Sequence, residues 1–403
     1  MDQAKFTDLL TWLGDGAPSI GWESDQLAQV VAEWVFACGI PIARCGVFVH
    51  TLNPNFAGLS FVWRRGKKVV QEPANFDVDE TDEYRTSPLV AVLEGGRTVR
   101  LRKREIEEDT YSMFLADMRR ENITDYIAFP LKFIDASIHS LSWTTQEPDG
   151  FSDEHIDALR RLVAPLTRVI EIVVLRHTAV TLLETYVGHR PGERIMKGQI
   201  RRGHTEAMEA VIWLSDLRGF TRLSDRLPSD VVVDVLNRYF DCQVAAITAH
   251  GGEVLKFMGD GLLAVFPVAE QGRDAVKVCA DVMMAVESCC ADVGALNYAE
   301  RGFAVEQFHF ALALHVGTVL YGNIGGGNRL DFTCIGPAVN LAARLEALAK
   351  KLDRTVVASA DFVGYAGGDW TDLGEFPIRG FSQMSRVFGL RAEDEALPRT
   401  DTA

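Results

Sequence analysis

The stretch EVLKFMGDGLLAVF, residues 253–266, constrains the fold more than any other part of the chain. Gly-Asp-Gly stands between two apolar runs, and glycine supplies the positive φ that a tight hairpin turn demands. Two strands therefore meet at a turn whose tip is a lone carboxylate, Asp260. Taken alone, Asp260 reads as a solvated turn residue, because Asp bonds its own backbone in turns. A second stretch, AVIWLSDLRGFTRLSD at 210–225, changes that reading. It is an apolar strand that ends on Asp216, followed by a Gly-containing turn into a helix starting around Thr221. In one sheet, two adjacent strand ends bring such carboxylates together, and paired hard oxygen donors suit magnesium. The amides of Gly219, Phe220 and Thr221 would open a helix, where peptide dipoles favour phosphate.

At 403 residues the chain is too long for one ordinary core, and about 150 residues per domain predicts two or three domains. The balance of 41 basic against 56 acidic residues argues against a general nucleic-acid or anionic-membrane surface, so a phosphate site must be built locally. No run of about twenty apolar residues is present, which predicts no membrane span. The start, MDQAKFTDLL, lacks a basic leader followed by an apolar stretch, and a cytoplasmic location is expected. Seven cysteines without a CxxC pair fit buried reduced thiols better than a disulfide frame or a zinc site.

Residues 1–152 alternate helical and strand-like pieces. DQLAQVVAEWVFACGI is an amphipathic helix, followed by strands in CGVFVHTL and LSFVWRRG. After them come the helix SPLVAVLEGG, the strand RTVRLR, a helix around YSMFLADMRREN, and the strands YIAFPLKF and SIHSLSWTT. A central antiparallel sheet flanked by helices follows. That layout resembles a GAF-like sensory domain, and it leaves a small-molecule ligand of this domain open. Trp34, Phe48, Trp63 and Trp143 are its candidate pocket aromatics, with core packing the commoner use of such residues.

From residue 153 a long helix is predicted, with Ile156, Leu159, Val163, Leu166, Ile170, Val173 and Val180 in a heptad rhythm and His177 at the remaining seam position. Either it pairs with a second copy in a parallel seam, or it packs on its own sensory domain. The extra apolar residues Leu162, Val169, Ile172 and Val174, and a kink at Pro165, favour the latter. Residues 153–204 read as this helical linker plus a Gly-rich, positively charged connector, 205–391 as a second domain, and 392–403 as a polar tail.

The second domain carries SDLRGFT, LKFMGDGLLAVF, HVGTVLYGNIG, FTCIGPAVNLAARLE and, more faintly, IRGFSQMSRVFGL. These stretches, in this order, resemble the catalytic domain of class III nucleotidyl cyclases, the adenylate and guanylate cyclases. The fold class expected is α+β: a GAF-like antiparallel sheet, a long helical linker, and a ferredoxin-like, palm-type cyclase domain. The resemblance implies that Asp216 and Asp260, with the Leu217 carbonyl, bind two Mg2+ or Mn2+ ions per active site. It implies that Asn340 orients the ribose and that Arg344, four residues on and so on the same helix face, meets charge on the α-phosphate.

Lys256 occupies the position where adenylate cyclases of this family read the base, and a Lys donates to N1 of adenine. Counting back from Gly336 and Asn340 makes Thr333 its partner, as in a bacterial Lys/Thr subgroup; a slip of one residue would give Cys334. Arg379 stands where the family commonly has a phosphate-contacting Lys, and Arg also binds phosphate. The family's sites are shared between subunits, so the resemblance implies a homodimer. The reading is an adenylate cyclase acting on ATP under N-terminal control, with a guanylate cyclase or a silent nucleotide-binding signalling protein as alternatives.

Overall fold

The computed structural model describes residues 1–17, 24–108, 113–268, 272–296, 308–327, 329–377 and 384–391. The chain divides into two compact units, Met1–Thr185 and Tyr186–Ala403.

The first unit is built on a six-stranded sheet of β1 (Arg44–His50), β2 (Gly58–Arg64), β3 (Val70–Ala74), β4 (Val99–Arg102), β5 (Asp125–Lys132) and β6 (Ile138–Thr145). Its order is β3-β2-β1-β6-β5-β4, and every pairing is antiparallel. The expected antiparallel sheet flanked by helices is therefore present. One strand was not legible: β3 is an exposed edge of sequence VQEPA, and a strand with Pro73 belongs at an edge.

Alternation along β1 sends Cys45, Val47 and Val49 to one face, where they join Leu59, Phe61, Trp63, Leu141 and Trp143 in the main core of this unit. Helices Gln3–Gly14 and Ser24–Ala37 close that core. So does the long helix Asp153–Val187, which continues through Pro165 and buries Ile156, Leu159, Leu162, Leu166, Ile170 and Val173 there. Each such side chain contributes about 1.5–3 kcal/mol when fully buried. Most of the heptad seam is thus spent on the helix's own unit.

The four candidate aromatics do not line one pocket. Trp63 and Trp143 are core residues, Trp34 packs against Trp12 with ring centroids 5.4 Å apart, and Phe48 lies on the opposite sheet face. The apolar cavity between sheet and helices is only about 30 Å³.

The second unit has an eight-stranded sheet of β7 (Thr205–Leu217), β8 (Glu253–Met258), β9 (Gly261–Pro267), β10 (Phe310–Gly326), β11 (Arg329–Ile335), β12 (Val356–Ser359), β13 (Trp370–Pro377) and β14 (Met384–Leu390). The order is β13-β14-β12-β10-β7-β9-β8, with β11 paired to β10. Helices Ser229–Ala249 and Ala275–Ala295 cover one face through Val235, Tyr239, Val282 and Val286. Helix Pro337–Lys351 covers the other through Ala338, Ala342, Leu345 and Ala349.

The positively charged connector departs from expectation. It contains a helix, His189–Met196, whose Pro191 and Gly192 are buried. All seven cysteines are free and five are buried, as expected of reduced thiols. Among the described residues no helix is long and apolar enough to cross a membrane.

Candidate active site

β7 lies in the centre of its sheet, between β10 and β9, which is why its run from Ala210 to Leu214 is apolar on both faces. Asp216 is the last residue but one of the strand, and its register partner on β9 is Gly261. Gly261 in turn faces Met258 on β8, leaving Gly259 and Asp260 as the two turn residues of the hairpin. Gly259 takes φ +68°, and a Cβ on Gly261 would stand 3.0 Å from Asp216 Oδ1. The two glycines therefore have separate tasks: one makes the turn, the other makes room for the first carboxylate. The Leu217 amide donates to the Asp260 carbonyl at 3.2 Å, tying the strand end to the hairpin tip.

The carboxylates of Asp216 and Asp260 feel one another. Burial, and after it the negative charge of Asp216, raise the Asp260 carboxyl above its ordinary value. The Lys350 ammonium bonds to Asp216 Oδ2 and lies 3.0 Å from Glu346 Oε1. Burial pulls Lys350 down, but its bonds to Asp216 and Glu346 outweigh that and hold its pKa above the ordinary value. The Lys350 ammonium bonds to Asp216 and Glu346 and its positive charge reaches Asp260, so the carboxylates at this strand end already keep a cation beside them. Among the described residues no group of three or more His, Cys, Asp or Glu could hold a metal ion. Two carboxylates suit Mg2+ when substrate phosphates and water complete its shell.

Next to the hairpin, Lys256 on β8 reaches Asp331 on β11, with Nζ 3.8 Å from Oδ2. Asp331 and Thr333 stand two apart on one strand and share a face. Thr333 is buried, and its Oγ1 has no hydrogen-bond partner among the described residues. The neighbouring Cys334 packs in the core with Tyr321 and Phe332, where burial pushes its thiol up to about 11. Of the two, Thr333 is the one with a hydroxyl left to bond.

Helix Pro337–Lys351 starts on Gly336, at φ +142°, with Pro337 at its first position. Asn340 and Arg344 are exposed one turn apart. Among the described residues, neither makes a side-chain hydrogen bond or ion pair with Asp216 or Asp260 of the same chain. Glu346 pairs with Lys350, not with Arg344. At the end of β7, Gly219 takes φ +72° and caps a short helix that begins at Phe220, one residue before the expected start, with Thr221 exposed. Arg379 lies outside the described residues.

Three groups were missed in the sequence. Asp331 beside Lys256 had no signal. Glu346 and Lys350 did have one, the i, i+4 spacing on the helix that carries Asn340 and Arg344. The third is a buried network: Tyr321 Oη donates to Glu253 Oε2 at 3.0 Å, and Arg190 Nε lies 3.6 Å from the same oxygen. It joins the connector helix to β8 and β10.

Residues 204–390 match the family described as the adenylate and guanylate cyclase catalytic domain. Adenylate cyclase 1 of Rhizobium meliloti is 31% identical over 186 residues, 44% of this chain and 27% of that protein. An adenylate cyclase of Anabaena cylindrica is 28% identical over 164 residues, 41% of this chain and 32% of that protein. The crystal structure of the adenylyl cyclase CyaB from P. aeruginosa is similar with a TM-score of 0.42 and 24% identity, over 46% of this chain and 95% of that one. The matched stretch thus spans less than a third of each of these two curated relatives.

Proposed function

We propose, from the premise that residues 204–390 are an adenylate and guanylate cyclase catalytic domain, that the chain is an adenylate cyclase forming 3′,5′-cyclic AMP and pyrophosphate from ATP. The observation that carries this reading is the pair of carboxylates, Asp216 and Asp260, at the end of β7 and the tip of the β8–β9 hairpin. Asp216, Asp260 and the Leu217 carbonyl would hold two Mg2+ or Mn2+ ions, which when bound acidify the ribose 3′-hydroxyl and neutralise the triphosphate.

The 3′-oxygen attacks the α-phosphorus, the bond to the bridging oxygen of the β-phosphate breaks, and pyrophosphate leaves. Asn340 orients the ribose, and Arg344 bonds to the α-phosphate oxygens as their charge grows, a task that suits a fixed guanidinium. The amides of Gly219, Phe220 and Thr221 receive phosphate oxygens, and Arg379 takes the terminal phosphates. Lys256 donates to N1 of adenine, and the Thr333 hydroxyl accepts from its 6-amino group. A buried hydroxyl without a partner supports that assignment, because it gains a bond only when base is present.

The site is completed in a homodimer, with Asn340, Arg344, Lys256 and Thr333 of one copy facing the aspartates of the other. Exposed apolar side chains at Phe257, Met258, Leu320 and Ile335 support such a face. The first unit is the GAF-like regulatory part. Chromatography of products from ATP and GTP, each with Mg2+ and Mn2+, tests the reading. Cyclic AMP from ATP, lost in Asp260→Ala, is expected; cyclic GMP as the main product, or turnover retained in Asp260→Ala, would overturn it.

A further inference from the structure

Helix Pro337–Lys351 finishes with two cations, Lys350 and Lys351, at the end where the peptide dipoles favour positive charge. It packs on its sheet through small side chains, Ala338, Ala342 and Ala349. Its end is also tied to the end of β7. Arg218, two residues after Asp216, donates from Nη2 to the Ala349 carbonyl at 3.2 Å, bonds to the Arg354 carbonyl and pairs with Asp353. The backbone around Ala349 is thereby fixed against the strand end that carries Asp216, and Lys350 is the next residue.

The two lysines differ in what they reach. Lys351 is exposed. Lys350 bonds to Asp216 Oδ2, lies 3.0 Å from Glu346 Oε1, and its charge acts on Asp260 as well. One ammonium thus serves three carboxyl groups, and two of the three are those assigned to the metal. An ammonium and a divalent ion are drawn by the same negative charge, and a few ångströms apart they repel each other. The lysine stem is long and flexible. Because Nζ already stands 3.0 Å from Glu346, leaving Asp216 for Glu346 alone takes a side-chain rotation and no movement of the helix.

We propose that Lys350 is a tethered competitor of the divalent ion: it shares the charge of Asp216 and Asp260, withdraws to Glu346 when metal binds, and so sets how much metal the site requires. The inference rests on the metal role proposed for the two aspartates. The charges close on either side of the exchange, since Lys350 with Glu346 is a neutral pair and the two aspartates together match one divalent ion. Glu346 is then the residue that gives the displaced ammonium a place to go.

The experiment titrates Mn2+ into the full chain without nucleotide, and bound ion is read from the loss of the free-ion electron paramagnetic resonance signal. An Asp260→Asn chain titrated in parallel gives the binding that does not involve this pair. Lys350→Met should tighten the Asp260-dependent binding by at least about tenfold, the worth of a bond to a charged group. Lys351→Met removes an equal but exposed charge one residue on and should change it by less than about twofold. Lys350→Arg, which keeps the charge, should stay near the parent value. Adding Asp260→Asn to Lys350→Met should abolish the gain. Circular dichroism establishes that each variant is folded, and Lys350→Gln decides if Lys350→Met is not. Unchanged or weaker Asp260-dependent binding in the folded variant, or an equal gain from Lys351→Met, overturns the inference. No Asp260-dependent binding in any of the chains removes the metal reading of the aspartates, and this inference with it.

Discussion

Asp260 is held in a state that suits a cation better than it suits the protein alone. Its carboxyl is raised by burial and by Asp216, so the folded chain binds a proton more tightly there than the unfolded chain does. The sign follows: the proton's contribution to stability is complete at pH below the unfolded carboxylate value and is lost as pH rises through the folded one. Asp260→Asn, which abolishes the charge permanently, should therefore melt higher than the parent at neutral pH without added metal. That gain should vanish on acidification into the carboxylate range, while cyclase activity falls by at least about a hundredfold, as for loss of an electrostatic group at a reaction centre. Melting curves from pH 4 to 7.5 and a product assay check both halves. For base choice, the double change Lys256→Glu and Thr333→Cys should shift preference toward GTP, and unchanged ATP preference would remove the base assignment. Asp216 and Asp260 were legible because glycines and apolar runs mark a hairpin and a strand end. Asp331 was not, nor was the bond from Lys350 to Asp216, because these partners are set by how a helix and a strand pack across the sheet, which spacing alone does not encode.

Elements with strong alternation or helical periodicity were readable: β1, β2, β5, β6, β7 and the β8–β9 hairpin all fall where apolar patterning places them. Those that failed are the ones whose partners lie elsewhere in the fold. β3 is polar and held only at an edge. The connector helix His189–Met196 is short and charged, and its attachment comes from Arg190 and Arg194 reaching Glu253, Glu206 and the face of the Tyr321 ring. Glu253 is buried, and burial raises its carboxyl although the Tyr321 hydroxyl and Arg190 pull the other way. Tyr321→Phe removes the donor and leaves a buried carboxylate short of a bond, a loss of about 1–3 kcal/mol. Urea unfolding of the second unit should register it as a lower midpoint with unchanged slope. Because Glu253 opens β8 and Lys256 lies on the same strand, KM for ATP should rise as well; stability loss with KM unchanged would confine Tyr321 to a purely packing role.

In the proposed cyclase the two sets of groups do not meet within one chain. Asp216 and Asp260 converge at one end of the central strands, whereas Asn340 and Arg344 point out from helix Pro337–Lys351 without a side-chain partner among the described residues. Both sets are legible in the sequence as motifs, but the copies that would supply them are not, since pairing in the proposed dimer depends on exposed surface such as Phe257, Met258, Leu320 and Ile335. A two-fold dimer makes a sharp prediction, because each of its two sites draws one set from each copy. An Asp216→Ala chain paired with an Asn340→Ala chain has one site carrying both lesions and one carrying neither. Each variant alone should be inactive, whereas random mixing makes half the dimers mixed, each with one intact site, or about a quarter of parental activity. The measurement is cyclic AMP formation by co-expressed, differently tagged chains purified through both tags, for which the expected value rises to about half. Activity no higher than that of the single variants, in dimers shown to contain both chains, would mean that each chain completes its own site and that the exposed helix face serves another purpose.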